Sequence, residues 1–278
     1  MKTAIIIPAR YASARLPGKP LATISGQTML QRVVALSQAA AEGDPNVTVH
    51  VAVDDDRVAQ HCKDIGVSYL MTPPECPSGT DRCAAAVSQL KTAPDFILNM
   101  QGDAPLTPPD FLTAMIKSFA AAACDVITPV TQMTWEQLDK LRENKKTTPF
   151  SGTTAAFDEK TGKAFWFSKN IIPAVRKEEK MRADGAQALS PIYRNIGLYG
   201  YSRTMLEKYI TLPESRFEKL EGLEQLRVIE NGYTIRCVPV DYKGRASMSG
   251  VDSPEDVTRA EALIAKHGEL VTAKKGVA

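Results

Sequence analysis

The sequence predicts an α/β fold with a mostly parallel central sheet and helices on both faces. Short apolar, β-branched runs alternate with helical patterns of about 10–15 residues, which is typical of βαβ units. The chain has 278 residues, of which 44% are hydrophobic and 24% charged, so it can bury a sizeable core without disulfides. These proportions exclude a wholly disordered or collagen-like protein.

The alternation is clearest in the first half of the chain. Strands are predicted at Thr3–Ala9, Asn46–Val53, Val67–Met71, Asp95–Met100 and Asp125–Val130. Helices are predicted at Thr28–Ala41, Asp55–Ile65, Asp81–Leu90 and Pro108–Ala121. Asp54 is expected to cap the second of these helices, and proline suits the first turn of the fourth.

The pattern changes after about Thr131, and we expect one domain over 1–278 with an insertion at approximately 132–212. A hairpin is predicted from Gly152–Phe157, the loop Asp158–Gly162 and Lys163–Phe167. The remaining segments are interpreted as a polar mobile loop at Ala174–Ser190, strands at Tyr193–Tyr201 and Tyr233–Val240, helices at Arg216–Glu230 and Ser253–His267, and a frayed tail at Glu269–Ala278. Ser253 is the expected N-cap of the last helix.

Charge is distributed unevenly although the net charge is only +2. No Asp or Glu occurs from Met1 to Ala41, a stretch whose cations are Lys2, Arg10, Arg15, Lys19 and Arg32. A cationic end on a nearly neutral chain suggests a small anionic ligand rather than nucleic acid or a membrane. Solvated surface cations are the alternative.

We expect no targeting signal, because the first apolar run stops at Pro8 and Arg10 follows. The five cysteines form no CxxC pair, so we expect reduced, mostly buried thiols in a cytoplasmic protein. The three histidines are dispersed, which disfavours a His-rich metal site or a His-centred triad.

The loop after the first strand carries the main candidate site. It offers Arg10, Arg15 and Lys19 at fixed spacing, with Gly18 beside the lysine. Backbone N–H groups and cations of such a loop can bind phosphate, whereas an ordinary basic turn is the alternative. Neither G-x-G-x-x-G nor G-x-x-x-x-G-K-[ST] is present, so a nicotinamide oxidoreductase is disfavoured.

The motif Pro-Ala-Arg-x5-Leu-Pro-Gly-Lys-Pro-Leu, which begins at Pro8, resembles the signature of the sugar-acid cytidylyltransferases, and most closely that of the 3-deoxy-D-manno-octulosonate cytidylyltransferase (CMP-Kdo synthetase) family. The resemblance covers nearly the whole chain. Six further blocks match: Ser78-Gly79-Thr80-Asp81-Arg82, Gln101-Gly102-Asp103, Phe165-Trp166-Phe167-Ser168-Lys169, Gly197-Leu198-Tyr199-Gly200-Tyr201, Leu223-Glu224-Gln225-Leu226-Arg227 and Gly250-Val251-Asp252-Ser253-Pro254-Glu255-Asp256.

The resemblance implies a Rossmann-like nucleotidyltransferase fold with an inserted smaller β/α lobe for sugar binding and dimerisation. It implies a Mg²⁺-dependent enzyme that joins CMP from CTP to a 3-deoxy-ulosonic acid and releases pyrophosphate, for lipopolysaccharide or surface polysaccharide biosynthesis. The expected partners are CTP, a 2-keto-3-deoxy sugar acid and a second copy of the chain, with no nucleic acid and no membrane insertion.

Lys19, Asp103 and Asp252 are the expected catalytic residues, and the two aspartates the expected metal ligands. Asp103 follows a buried strand, and Asp252 precedes the last helix, so only folding can unite them. One or two carboxylates plus substrate phosphates are the usual ligands of Mg²⁺. Each aspartate has a turn or cap role as its alternative. The rival acidic run Asp54-Asp55-Asp56 is interpreted as a helix start.

The resemblance also implies two groups of binding residues. For CTP these are Ala9, Arg10, Ser13, Arg15, Lys19, Ser78, Gly79 and Thr80. For the sugar they are Arg82, Gln101, Lys169, Asn195, Tyr199, Glu224 and Gln225. Alternatives are a helix-capping role for the Ser-Gly-Thr turn, with Thr80 able to serve both roles, and an exposed helix cation for Arg82.

Several sugar-side positions depart from the family pattern. Lys169 replaces an arginine, Asn195 a histidine and Ala104 a glutamate, and Gly152–Ala155 lacks an expected lysine. We therefore expect Kdo or a modified, Kdo-like or sialic-like acid as acceptor. The alternatives are a nucleotidyltransferase for another small acceptor and a CTP-binding protein that has lost ordinary Kdo activity.

Overall fold

The computed structural model describes residues 1–184, 189–248 and 250–271, which fall into two compact units. The first unit contains 1–123, 198–210 and the described residues from Tyr242 onward. The second contains 124–197, apart from 185–188, and 211–241. An inserted lobe at 132–212 with sugar-binding and dimer-forming roles stays a prediction.

The chain alternates strands with helices over most of its length. The strands are β1 (Thr3–Ala9), β2 (Thr23–Ile24), β3 (Gln27–Thr28), β4 (Val47–Val53), β5 (Ser68–Met71), β6 (Phe96–Asn99), β7 (Val126–Thr134), β8 (Thr153–Phe157), β9 (Ala164–Ser168), β10 (Leu189–Asn195), β11 (Tyr199–Ser202) and β12 (Ile235–Pro239). The helices are α1 (Met29–Ala41), α2 (Asp56–Asp64), α3 (Gly79–Val87), α4 (Pro109–Ala121), α5 (Trp135–Thr147), α6 (Glu178–Ala183), α7 (Arg203–Tyr209), α8 (Arg216–Glu221), α9 (Gln225–Glu230) and α10 (Pro254–His267), with a 3₁₀ turn at Lys19–Leu21.

The first unit is built on strands in the order β5-β4-β1-β6-β11. The first four of these run parallel, and β11 is antiparallel to β6. Ile5, Ile6 and Ile7 of β1 are fully buried, because a central parallel strand is covered on both faces. The carboxyl ends of β1, β4 and β6 therefore meet at one edge, where ligands bind in open parallel sheets.

The second unit has a different strand pattern. β12 is parallel to β7, whereas the pairs β7/β10, β10/β8 and β8/β9 are antiparallel. The sheet structure of the protein is thus mixed, with a parallel core in the first unit, and the expectation of a mostly parallel sheet is corrected. The predicted hairpin is confirmed, and its tight connection at Asp158–Gly162 forces β8 and β9 to run antiparallel.

Three sequence-based elements are corrected. The expected single strand Tyr193–Tyr201 is divided into β10 and β11. The expected helix Arg216–Glu230 is broken into α8 and α9, because Gly222 takes a left-handed conformation (φ +61°) at the C-cap of α8. The expected polar loop Ala174–Ser190 contains α6, while residues 185–188 lie outside the described residues.

The C-terminal part of the first unit is anchored by α10 and the residues after it. Ser253 caps α10 as predicted, accepting a hydrogen bond from Asp256 N at 3.3 Å. Glu269 pairs with the buried Arg32 at 2.6 Å, so it does not belong to a frayed tail. Residues 272–278 of that predicted tail lie outside the described residues.

In the described ranges, no helix has both the length and the apolar character needed to cross a membrane. All five cysteines are free thiols, and Cys62, Cys83 and Cys237 are buried as expected. Burial raises the pKa of the Cys62 thiol to about 12, which keeps it protonated and unreactive.

Candidate active site

The loop after β1 is shaped by a left-handed glycine. Gly18 has φ +66° and stands directly before the 3₁₀ turn, whose Leu21 N donates to Gly18 O at 2.8 Å. A Cβ at Gly18 would lie 3.3 Å from the Tyr11 hydroxyl oxygen. Both the backbone conformation and the contact favour glycine, and the next residue is Lys19.

Lys19 lies between the two aspartates that the sequence selects as metal ligands. Its Nζ donates to Asp103 Oδ2 at 2.5 Å and to Asp252 Oδ1 at 2.7 Å. Arg15 contacts the other oxygen of Asp252 at 3.2 Å. Folding has united residues that are 84 and 233 positions from Lys19 in the chain.

Close backbone packing fixes the loops that carry the aspartates. Val251 N donates to Asp103 O at 2.9 Å, which joins the loop after β6 to the segment before α10. A Cβ at Gly102 would lie 2.3 Å from Pro8 O, a distance that no side chain can adopt. Glycine at this position lets the ends of β1 and β6 approach each other.

The surroundings of Lys19 and Asp252 favour the ionised form of each. Desolvation lowers the pKa of Lys19, but the charges and hydrogen bonds of Asp103 and Asp252 outweigh it and raise that pKa overall. Partial burial raises the pKa of Asp252, but Lys19 and Arg15 outweigh it, so that pKa is lowered. The cluster contains two basic and two acidic side chains, so its formal charge is zero.

The donor set fits a divalent cation that also binds substrate phosphates. The side chains of Asp103 and Asp252 are 31% and 38% exposed, and their oxygens converge on one ammonium group. Among the described residues, no group of three or more His, Cys, Asp or Glu side chains is placed to hold a metal ion. Two carboxylates are enough for Mg²⁺ when phosphates and water complete the coordination.

The acidic run at the start of α2 has another role. Asp55, and not Asp54, caps the helix by accepting from Arg57 N at 2.9 Å, so the expected cap is corrected by one residue. Asp54 lies instead against Arg82, with 3.0 Å between Oδ2 and the guanidinium. Asp54 therefore pairs with a cation of another helix, α3, and does not cap α2.

The Ser-Gly-Thr turn lies at the start of α3. Ser78 is the N-cap, accepting from Thr80 N at 3.1 Å and Asp81 N at 3.2 Å, so the capping role expected of Thr80 belongs to Ser78. A Cβ at Gly79 would lie 3.8 Å from both Gln101 Oε1 and Pro8 Cγ. The turn therefore shares an edge with the ends of β1 and β6.

The other predicted CTP contacts belong to the loop after β1. Ala9 is buried and pairs with Val53 of β4, whereas Arg10 is exposed. Ser13 Oγ accepts from Leu16 N at 3.4 Å. Their contacts with CTP stay predictions.

Arg82 is buried, so the alternative of an exposed helix cation is wrong. Only 3% of its side chain is accessible, and it donates to Thr72 Oγ1 at 2.7 Å and to Pro73 O at 3.2 Å. Sequence reasoning missed its pairing with Asp54 and the hydrogen bond from Tyr11 N to Asp54 Oδ1 at 3.0 Å. The sequence contains a signal for these contacts, because Asp54 directly follows β4 and so lies at the same sheet edge.

Four of the predicted sugar contacts belong to the second unit. Lys169 N donates to Glu221 Oε2 at 2.7 Å, and burial lowers the pKa of the Lys169 ammonium. Asn195 is buried and donates to Thr128 Oγ1 at 2.9 Å. Gln225 is buried as well, and no described atom is hydrogen-bonded to its Nε2. The fourth residue, Glu224, precedes α9.

Tyr199 and Gln101 belong to the first unit, on β11 and after β6. Gly152–Ala155 lacks the expected lysine, and Lys145 of α5 lies against the start of this segment, with 3.2 Å from its Nζ to Gly152 O. Its Nζ donates to Ser151 O and to Lys169 O, each at 2.5 Å. The roles of all these residues toward a sugar stay predictions.

Cations and two carboxylates at the carboxyl edge of a parallel α/β sheet are typical of enzymes that act on nucleotide phosphates with a divalent cation. The family profile described as Cytidylyltransferase matches residues 4–235 of the chain. The chain therefore belongs to the cytidylyltransferase family.

Named relatives agree with this assignment over almost the whole chain. A 3-deoxy-manno-octulosonate cytidylyltransferase from Maricaulis maris is 43% identical over 272 residues, which cover 98% of this chain and 100% of the relative. A protein of the same name from Syntrophotalea carbinolica is 38% identical over 266 residues, covering 94% and 98% of the two chains.

Solved structures show the same fold. The structure of a CMP:2-keto-3-deoxy-manno-octonic acid synthetase complexed with CTP matches with a TM-score of 0.80 and 32% identity, covering 96% of this chain and 99% of that one. A 4-diphosphocytidyl-2C-methyl-D-erythritol synthase from Anaerococcus prevotii matches with a TM-score of 0.56 at 12% identity, which shows a shared fold alone.

Proposed function

We propose that this protein transfers CMP from CTP to 3-deoxy-D-manno-octulosonate (Kdo), forming CMP-Kdo and pyrophosphate for lipopolysaccharide or surface polysaccharide biosynthesis. The observation that carries the proposal is the placement of Lys19 between Asp103 and Asp252 at the carboxyl edge of the parallel strands. The names of the relatives supply the substrates.

In this proposal the triphosphate binds to the loop after β1, from Arg10 to Lys19, which we call the nucleotide loop. Arg10, Arg15 and Lys19 neutralise phosphate oxygens, while backbone N–H groups of the loop donate to them. Nucleotidyl transfer needs this positive charge to follow the negative charge that develops as pyrophosphate departs, and it needs no covalent enzyme intermediate. The turn Ser78–Thr80 lies at the same edge and supports a role in holding cytosine.

Asp103 and Asp252 are the residues that would hold Mg²⁺. The bound ion would supply positive charge at the α-phosphate and lower the pKa of the attacking sugar hydroxyl. Lys19 and Arg15 neutralise both carboxylates in the absence of nucleotide. We infer that the triphosphate draws these two cations to its own oxygens, which frees the carboxylates as ligands.

The acceptor is a 2-keto-3-deoxy sugar acid, with Gln101, Lys169, Asn195, Tyr199, Glu224 and Gln225 as its proposed contacts. Within the described part of the chain no atom accepts from the buried Nε2 of Gln225, which supports this assignment, because a buried donor without a partner is costly unless a ligand accepts from it. The protein would act in the cytoplasm as a homodimer, as the sequence predicts.

The test is a pyrophosphate-release assay with each of four nucleoside triphosphates and a panel of acceptors. The panel contains Kdo, an amino-substituted Kdo and a sialic acid, with Mg²⁺ present. We expect release with CTP and Kdo. Preference for an acceptor outside the 3-deoxy-octulosonates, or for another nucleotide, would overturn the proposal, as would CTP binding without turnover of any acceptor.

A further inference from the structure

A buried ion pair in the first unit adjoins the nucleotide loop. The carboxylate of Asp54 and the guanidinium of Arg82 are 3.0 Å apart, and their side chains are only 8% and 3% exposed. Burying two opposite charges costs desolvation free energy, so such a pair commonly gives conformational specificity and not net stability. Its neighbours indicate which conformation it specifies.

On one side of the ion pair, other residues of the protein accept hydrogen bonds from Arg82. One terminal nitrogen donates to Thr72 Oγ1 at 2.7 Å and to Pro73 O at 3.2 Å. Thr72 Oγ1 in turn donates to Val53 O at 2.9 Å, at the end of β4. The guanidinium is therefore fixed on the ends of two strands, and its burial leaves little access for a sugar carboxylate.

On the other side, the carboxylate of Asp54 holds the beginning of the nucleotide loop. Its Oδ1 accepts from Tyr11 N at 3.0 Å. The Tyr11 ring lies under the Arg57 guanidinium, 3.5 Å from ring centroid to Cζ. The Tyr11 hydroxyl oxygen is 3.3 Å from the position that a Cβ of Gly18 would take, one residue before Lys19.

We propose that Asp54 and Arg82 are positioning residues that hold the nucleotide loop through Tyr11, and that Arg82 does not bind the sugar. The inference rests on the proposed function, since the loop is the element expected to bind the triphosphate. Asp54 holds the first residue of the segment from Tyr11 to Gly18 by its backbone, and the Tyr11 ring lies beside the last. The pair thereby orients Arg15 and Lys19 before the nucleotide arrives. Such preorganisation lowers the entropic cost of binding.

The decisive experiment compares two double variants. Asp54→Ala/Arg82→Met and Asp54→Asn/Arg82→Met both remove the two buried charges, so neither leaves an uncompensated ion. Only the asparagine variant keeps an oxygen that can accept from Tyr11 N. The Kd of CTP is measured by calorimetry without acceptor, together with thermal unfolding and the KM of Kdo at saturating CTP.

We expect the alanine variant to bind CTP about 10- to 100-fold more weakly than the wild type. The asparagine variant should recover most of the affinity at a similar Tm, and the KM of Kdo should be unchanged in both. The single variant Arg82→Lys is expected to lie between the wild type and the alanine variant, since it keeps one charge beside Asp54 but loses the fork.

Arg32→Met serves as the control. It removes another buried arginine of the first unit, one that bonds Ile24 O and Glu269, and it should lower Tm without changing the Kd of CTP. Equal CTP affinity in the two double variants would overturn the inference, as would a raised KM of Kdo with unchanged CTP binding. A wild-type protein that does not bind CTP would instead overturn the proposed function.

Discussion

Two clusters of four charges, one in each unit, differ in how they are made. The site cluster, in the first unit, consists of Arg15, Lys19, Asp103 and Asp252. The helix cluster, in the second unit, consists of Arg142, Arg182, Asp139 and Glu178. Each has two cations and two anions, and each has a net charge of zero.

The helix cluster is held by forked contacts. Both terminal nitrogens of Arg142 bond the carboxylate of Glu178 at 2.7 Å, and Arg182 contacts both oxygens of Asp139 at 3.0 and 2.6 Å. The Arg182 guanidinium also lies 4.4 Å from the centroid of the Trp135 ring. These planar contacts fix α5 against α6, and we assign the cluster a structural role.

The site cluster instead depends on one ammonium group and single contacts. Lys19 Nζ is a point charge on a flexible stem, and Arg15 reaches one oxygen of Asp252 with a side chain that is 70% exposed. Such contacts can be exchanged for phosphate oxygens without dismantling a fold. The two clusters have the same formal charge. Their pairing geometry is therefore what distinguishes the candidate ligand-binding site from the structural contact between α5 and α6.

The largest expected effect is on turnover. We expect Lys19→Ala and Asp103→Ala each to lower kcat/KM by about 10³-fold, since each removes charge that faces the reacting phosphates. Arg182→Met, in the helix cluster, should change kcat/KM little. Steady-state kinetics with circular dichroism checks this, and near-normal turnover in either site variant would remove the distinction.

The affinity for a divalent metal ion provides a second test of the difference between the site cluster and the helix cluster. In nucleotide-free protein, Lys19→Met should bind Mn²⁺ at least about tenfold more tightly than the wild type, because a cation between two carboxylates is gone. Electron paramagnetic resonance titration of free Mn²⁺ measures this, with Arg182→Met as the matched control. Equal affinity in wild type and Lys19→Met would contradict our view that Lys19 neutralises the carboxylates until nucleotide binds.

The backbone packing around the site should tolerate little change, in contrast to the exchangeable contacts of its charged side chains. Gly102→Ala puts a Cβ 2.3 Å from Pro8 O, and we expect it to lower the free energy of unfolding by about 1–3 kcal/mol. Gly197→Ala is the control, because its Cβ would meet nothing within 4 Å. Denaturant unfolding of both variants tests this, and equal stabilities would show that the approach of β1 to β6 is not tight.

The smallest expected effect is the pH dependence of the helix cluster. Hydrogen bonding from Arg142 and then from Arg182 lowers the pKa of Glu178 to about 2. A carboxyl group with a lowered folded-state pKa stabilises the fold above its unfolded-state pKa and loses this contribution as pH falls toward the folded value. The Tm difference between wild type and Glu178→Gln should thus shrink from pH 6 toward pH 2–3, and a constant difference would argue against this pairing.

Sequence reasoning found the catalytic candidates because their positions follow a general rule. Lys19 and Asp103 follow buried strands, and parallel strands bring such residues to one edge. Asp252 is not in a loop of that kind, and it was chosen by resemblance alone. The direct contact of Lys19 with both aspartates is not predicted, since it depends on the close packing of Gly102 against Pro8.

The failures have physical causes as well. The prediction that Asp54 caps α2 is wrong because local sequence signals cannot reveal a partner such as Arg82, which is 28 positions further along the chain. The predicted helix Arg216–Glu230 is continuous because its periodicity persists across Gly222, although a glycine that takes the left-handed conformation commonly ends a helix. Strand direction in the second unit depends on pairing, which periodicity does not encode.

Pyrophosphate release from CTP with Kdo and Mg²⁺ is the most direct test of our proposal that the site cluster catalyses cytidylyl transfer. Wild type and Asp103→Ala are compared at equal concentration, with the other three nucleoside triphosphates as blanks. We expect release that requires CTP, Kdo and an intact Asp103. Release that is equal in wild type and Asp103→Ala, or no release above the blanks, would contradict it.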